Sequence, residues 1–325
     1  MPKPVITVLT AEGEALPPGL EPLEGHAELR LANSRESLEQ TLPGAEILLV
    51  TDFRTEMLAA CWHLADRLQW IHATSAGVDA LMFPALQQSD IPVTNARGIF
   101  DGAIAEFVLG LVLAFAKDLP ASIRYQERHV WQHRDTERAA GQRALVVGAG
   151  AIGRRIGRML AAAGLSVDAV ARSARSEDPD FGRIHAQSSL LEHLPEADFV
   201  VIAAPLTEST RRLFGAEAFA AMKPSARLIN IGRGPIVETD ALVAALGDGT
   251  IAGAALDVFE SEPLPADHPL WDFPQAIITA HMAGDVVGWR EALSEQFREN
   301  LGRWQAGESL NNVVDKARGY VPPGQ

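Results

Sequence analysis

Three residues far apart in the chain share a setting in which ionisable side chains do chemistry. Arg233 stands in Asn230-Ile231-Gly232-Arg233-Gly234, Glu262 precedes Pro263, and His281 ends Thr279-Ala280-His281, each following a short apolar run that reads as a β-strand. Open parallel α/β sheets hold ligands at the carboxyl ends of their strands, so polar residues interrupting those ends are candidates for a site. Their types are complementary. An arginine clamps a carboxylate through paired N–H groups and polarises a neighbouring carbonyl. A histidine delivers a proton to the carbonyl oxygen, and a carboxylate beside it orients the ring and favours the charged form. Together they suit a small 2-keto acid. Taken singly, each has a plainer reading: a surface ion pair for Arg233, a loop acid for Glu262, and one of nine ordinary histidines for His281.

A second group of residues is specialised for phosphate. Gly148-Ala149-Gly150-Ala151-Ile152-Gly153 follows an apolar strand and opens a helix that stops at Gly164. In this strand-turn-helix setting GxGxxG is a dinucleotide motif: the first glycine permits the turn, the second admits the diphosphate to the backbone, and the third lets helix and strand approach. The phosphates then meet free N–H groups at the helix N-terminus. About 20 residues beyond the last glycine, a carboxylate would bind the ribose 2′-hydroxyl of NAD. Here the second strand ends in Ala171-Arg172-Ser173-Ala174-Arg175, with no acid before Glu177. Arg172, Ser173 and Arg175 therefore favour a 2′-phosphate, and NADP is expected over NAD, with NAD use still possible.

The elements that must position these residues alternate regularly. Strands are expected at residues 5–9, 47–50, 70–73 and 91–94, and again at 144–147, 167–171, 199–203, 227–231, 253–256 and 276–279, with helical segments between them. Strands separated by helices imply right-handed crossovers and parallel sheets. The fold class is α/β, with two Rossmann-like or flavodoxin-like parallel-sheet domains and a cleft between them. Residues 99–287 form the dinucleotide-binding domain. Because that block is complete, the helix expected at 288–306 returns to the first domain, making a discontinuous substrate-binding domain of residues 1–98 and 288–325. Residues 101–118 are apolar nearly all round, which predicts a helix buried between domains or subunits. A more polar helix follows at 120–131.

Composition limits the partners. Hydrophobic residues make up 47% of the 325-residue chain and charged ones 22%, an ordinary globular balance. The 28 Lys and Arg against 42 Asp and Glu leave a net charge of −14, which disfavours nucleic acid and anionic membrane surfaces. Small anions then require local basic groups. Cys61, the single cysteine, permits no internal disulfide, and a small buried side chain is expected there. No metal site is expected. With neither a leader-like N-terminus nor a long apolar span, the chain is expected to be soluble and cytoplasmic.

The combined motifs resemble the D-isomer-specific 2-hydroxyacid dehydrogenase family. The matching pieces are Ser75-Ala76-Gly77-Val78-Asp79, Ile91 to Asn95, Ala105-Glu106, the glycine motif, Ala204-Pro205-Leu206-Thr207, Asn230 to Val237, Asp257 to Leu264, and Ile278 to Gly284. The basic 171–175 loop is similar to that of the NADP-using glyoxylate and hydroxypyruvate reductase branch. The resemblance implies His281 as general acid and base, Glu262 as its partner, and Arg233 as the substrate-binding cation. It also implies that the Ala76 and Gly77 amides receive the substrate carboxylate. Ala151, Ile152, Ala204, Pro205, Leu206, Ile231, Gly232, Asp257 and Gly284 would contact the cofactor with the glycines. Reduction of a small 2-keto acid to a D-2-hydroxy acid and a homodimeric assembly follow from the same likeness. Met282 and Ala283 depart from the residues that follow the histidine in many members. Phe53, Trp131 and Trp289 are candidates for the pocket or for the core. The rival readings are a non-catalytic, dinucleotide-sensing corepressor-like protein on the same fold and a dehydrogenase of another substrate type.

Overall fold

The computed structural model describes residues 3–51 and 56–322. The chain divides into two compact units, Met1–Phe100 with Val286–Gln325, and Asp101–Asp285. Among the described residues no helix is long and apolar enough to cross a membrane.

The first unit opens with β1 (Val5–Leu9), β2 (Glu28–Ala32), α1 (Arg35–Thr41), β3 (Ile47–Val50), α2 (Glu56–Cys61), β4 (Trp70–Ala73), α3 (Pro84–Gln88) and β5 (Val93–Thr94). These strands form one parallel sheet in the order β2-β1-β3-β4-β5. Sequence reasoning missed β2, an edge strand in which Glu28 and Arg30 alternate with leucines, and began β5 two residues too early while ending it correctly at Thr94. The inner strands are apolar on both faces, as a sheet covered on both sides requires. One polar cluster sits among them. Thr94 Oγ1 accepts from Trp70 Nε1 at 2.8 Å and lies 2.7 Å from His72 Nδ1. Burial pushes the His72 imidazole down to about 3, so the ring is neutral in the fold. Cys61 is buried in the same unit, as expected.

The second unit contains α4 (Asp101–Ala116), α5 (Leu119–Glu127), β6 (Arg143–Val147), α6 (Ala151–Ala162), β7 (Ser166–Ala171), β8 (Ile184–Ala186), α7 (Leu190–His193), β9 (Phe199–Ile202), α8 (Ala216–Ala221), β10 (Arg227–Asn230), α9 (Thr239–Gly247), β11 (Gly253–Leu256) and β12 (Ala276–Ile278). Its sheet has seven parallel strands, one more than the sequence suggests, in the order β12-β11-β10-β9-β6-β7-β8. The extra strand, β8, is only three residues long and too short to show a period. The order reverses between β6 and β9, and such a switch point leaves a crevice at the strand ends. Helix α4 packs on α6 and buries Ile104, Ala105, Val108, Leu111, Val112 and Ala116, while Leu113 remains 39% exposed. Only one face is therefore buried within the chain, despite the near-uniform apolar composition.

The chain then returns to the first unit with α10 (Trp289–Ala306), whose Phe297 and Leu301 close the core around Ile6, Val8, Ile47, Leu49 and Trp70. Phe297 stacks on Trp70 with ring centroids 5.3 Å apart.

Candidate active site

The site of the second unit is assembled by turns at the carboxyl ends of β10, β11 and β12. Asn230, the polar residue ending the apolar β10, is 1% exposed and organises the first turn. Its Oδ1 accepts from the Gly232 amide at 3.1 Å, and its Nδ2 donates to the Arg233 carbonyl at 3.1 Å. Arg233 Nη1 in turn donates to the Gly232 carbonyl at 2.9 Å. The next residue must be glycine on steric grounds. A Cβ at Gly234 would lie 1.8 Å from the Phe259 carbonyl carbon. That close approach sets the Arg233 turn directly against the segment leading to Glu262.

Asp257 ends the adjacent strand and is 2% exposed. Its amide donates to the Asn230 carbonyl at 3.0 Å, which couples the two turns. Both carboxylate oxygens are engaged: Oδ1 accepts from Thr279 Oγ1 at 2.5 Å and the Met282 amide at 2.9 Å, and Oδ2 from the Ala283 amide at 2.9 Å. The Asp257 carbonyl accepts the His281 amide at 2.8 Å. Asp257 thus holds the loop on both sides of His281. This holding role was not visible in the sequence, because two of its partners are backbone amides.

His281 itself has φ of 51°, a left-handed conformation that few non-glycine residues adopt. Its Nδ1 lies 2.7 Å from Glu262 Oε2, and the other Glu262 oxygen accepts the Phe259 amide at 2.8 Å. Burial would raise the Glu262 carboxyl, but the hydrogen bonds from His281 and Phe259 and the charges of His281 and Arg233 outweigh it and hold the group below its usual range. Glu262 is therefore an acceptor at neutral pH, and Nδ1 must carry the hydrogen. The imidazole side chain remains 36% exposed.

The glycine turn lies at the ends of β6 and β9 in the same unit. Gly148 has φ of 114°, and a Cβ there would sit 2.7 Å from Ala203 and Ala204 backbone atoms. At Gly153 a Cβ would fall 1.8 Å from the Gly148 carbonyl oxygen. At Gly150 it would meet nothing within 4 Å, so the chain's own packing does not demand a glycine there. No side chain caps α6 at Gly150, and the first helical amides, those of Ala151, Ile152 and Gly153, have no acceptor within the helix. An uncapped helix N-terminus beside room for a larger group fits a dinucleotide diphosphate. Gly232 approaches this turn too, since its Cβ would lie 2.9 Å from the Ala204 carbonyl oxygen. Thr210 Oγ1 donates to the Pro205 carbonyl at 2.7 Å and accepts the Thr207 amide at 2.8 Å, pinning the segment through Leu206. Gly284 follows the Ala283 amide bound by Asp257.

At the end of β7, the Gly148 amide donates to the Val170 carbonyl at 2.8 Å, which places the exposed Arg172-Ser173-Ala174-Arg175 loop beside the glycine turn. Ala76 and Gly77 belong to the first unit, in the loop after β4. Their carbonyls accept from Asn95 Nδ2 and Ser75 Oγ, each at 2.6 Å, which fixes the turn. Trp131 is fully exposed, Trp289 faces Phe100 at 6.1 Å, and Phe53 lies outside the described residues.

A doubly wound sheet with a glycine-turn cradle and an arginine, glutamate and histidine at its strand ends defines a dinucleotide-dependent oxidoreductase. Residues 109–283 match the family described as D-isomer specific 2-hydroxyacid dehydrogenase, NAD binding domain. A glyoxylate reductase of Thermofilum pendens is 32% identical over 291 residues, covering 87% of this chain and 85% of that protein. Among solved structures, the D-isomer specific 2-hydroxyacid dehydrogenase of Xanthobacter autotrophicus in complex with NADPH and MES superposes with a TM-score of 0.84 at 31% identity, covering 98% of this chain and 100% of that one. The NADPH-dependent glyoxylate/hydroxypyruvate reductase of Sinorhizobium meliloti, in complex with NADP and sulfate, gives a TM-score of 0.83 at 27% identity, covering 98% and 100%. The chain belongs to the D-isomer-specific 2-hydroxyacid dehydrogenase family and uses a nicotinamide dinucleotide.

Proposed function

We propose that the chain reduces a small 2-keto acid to a D-2-hydroxy acid, that it prefers NADPH to NADH, and that His281 is its general acid and base. The observation that carries this reading is the 2.7 Å contact between His281 Nδ1 and Glu262, on a loop that Asp257 holds at both sides. The cofactor supplies hydride to the substrate C2 when bound. The chain does the rest. Arg233 binds the substrate carboxylate and draws electron density from the adjacent carbonyl, and the Ala76 and Gly77 amides are assigned to the same carboxylate. Nε2–H of His281 gives its proton to the oxygen that becomes the hydroxyl. The ring is then neutral, still held through Nδ1–H by Glu262, and in the reverse direction it accepts the proton again.

Residues 148–153 would hold the diphosphate, and Ala204 to Leu206, Ile231, Gly232, Asp257 and Gly284 would line the rest of the dinucleotide. Arg172, Ser173 and Arg175 would take the 2′-phosphate. Two of the similar structures are complexes with NADPH or NADP, which supports that preference. A homodimer is part of the same reading, with Leu113, Leu119, Ile123, Val130 and Trp131 as an exposed apolar run for a second copy to cover.

The test is to follow NADPH and NADH oxidation with glyoxylate, hydroxypyruvate, pyruvate and longer 2-keto acids. Turnover with NADPH and at least one small 2-keto acid is expected. A folded protein that binds NADPH but turns over none of them would overturn the reading. The variant Arg172→Asp is expected to weaken NADPH about tenfold or more and to favour NADH, and an unchanged cofactor ratio would remove Arg172 from the 2′-phosphate site.

A further inference from the structure

Beyond the basic loop stand two acids, Asp178 and Asp180. Asp178 follows Arg175 by three residues, and its side chain is 3% exposed, with Oδ2 3.9 Å from Arg175 Nη1. A carboxylate so close to a 2′-phosphate site would repel the phosphate. It is met instead by Arg154, from the first turns of α6. Arg154 makes a two-pronged contact, Nη1 to Oδ1 at 2.7 Å and Nη2 to Oδ2 at 2.8 Å. Nη1 also reaches Asp180 at 2.7 Å, and Arg158, one turn further along α6, binds the other Asp180 oxygen at 2.7 Å. Two guanidinium groups thus balance two carboxylates. The Arg154 hydrogen bond to Asp178 holds that carboxyl below its ordinary range, so it stays charged and paired.

Packing makes the pairing possible. Phe181 is 5% exposed and lies on Gly157, where a Cβ would come within 2.5 Å of its ring. The Arg154 guanidinium stands 5.7 Å from the centre of that ring. On the near side, Arg175 exchanges backbone hydrogen bonds with Ile184 at 2.8 and 3.1 Å. The loop that carries Arg172, Ser173 and Arg175 is therefore anchored at one end on β7, next to the glycine turn, and at the other on the edge strand β8.

We propose that Arg154 is a positioning residue for cofactor selectivity: by neutralising and holding Asp178, it keeps the Arg175 charge available to a 2′-phosphate. The inference rests on the NADPH reading above. Without Arg154, Asp178 turns to Arg175, and both its charge and its hydrogen bonds compete with the phosphate. NADH carries an uncharged hydroxyl there, so a nearby carboxylate does not repel it.

The test measures binding by calorimetry with two probes that differ only in the phosphate concerned, 2′,5′-ADP and its 2′-hydroxyl counterpart 5′-AMP, on the full chain. Arg154→Gln should weaken 2′,5′-ADP about tenfold, equivalent to about 1.4 kcal/mol, and change 5′-AMP by less than about twofold. Adding Asp178→Asn should restore 2′,5′-ADP binding. Equal loss of both probes, no loss of either, or a double variant that stays weak would overturn the proposal, and thermal melts of each variant establish that it is folded. Wild-type protein that binds 5′-AMP as tightly as 2′,5′-ADP would instead overturn the NADPH reading, and this inference with it.

Discussion

His281 works through its environment as much as through its own chemistry. The left-handed backbone at this position is held by the His281 amide on the Asp257 carbonyl and by the Met282 and Ala283 amides on the Asp257 carboxylate. Replacing His281 by Ala should lower kcat by about 10²–10⁴-fold, the range of a lost general acid, while NADPH binding changes little. Near-normal turnover would exclude His281 as the acid. Alanine also disfavours this backbone region, so His281→Asn, which tolerates it better, should show the same kinetic loss with a smaller change in melting temperature. Arg233, Glu262 and His281 were legible in the sequence because each is a polar interruption near the end of an apolar run. Asn230 and Thr279 carried the same signal more faintly, and Arg154 carried none, since its acidic partners lie more than twenty residues away on another element.

At the scale of elements, the three glycines of the turn do different jobs, and stability separates them. Gly153→Ala forces a Cβ onto the Gly148 carbonyl, and it should destabilise the protein by about 1–3 kcal/mol in urea unfolding, a typical cost of overpacking. Gly150→Ala meets open space, and it should cost about 1 kcal/mol or less while weakening NADPH about tenfold. Equal effects of the two substitutions on both readouts would contradict the assignment of the open space to the diphosphate. A different test concerns β4. His72 has its folded value depressed from 6.5 to about 3, so between those limits the unfolded chain binds one proton that the fold does not. Stability from this residue is complete above pH 6.5 and falls as the pH drops, by about 1.4 kcal/mol per pH unit. His72→Asn should therefore flatten the acid side of a stability curve measured between pH 6 and 4, and an unchanged slope would show that the ring is charged in the fold. The long apolar strands were readable from composition alone. The edge strands β2 and β8 were not, because one half-buried face or three residues give too little pattern.

For the whole molecule, the net charge of −14 coexists with cations gathered where anions would bind: Arg233 beside the histidine turn, and Arg172 and Arg175 at the end of β7. Charge summed over the chain therefore said little about the site. The exposed side chains of Ile123 and Trp131, 58% and 100% accessible, leave an apolar surface on the second unit. If a second copy covers it, sedimentation should give twice the chain mass, and Trp131→Glu should shift the protein toward the mass of one chain. A wild-type protein that sediments as a single chain at micromolar concentration would rule the dimer out. The return of α10 to the first unit has a consequence for how the molecule is made. Ile6, Val8 and Trp70 are synthesised before the second unit, but the Phe297 and Leu301 side chains that cover them come only after it. During synthesis the second unit has all of its own strands available first, so the nucleotide-binding unit is free to fold while the unit begun before it still waits for α10.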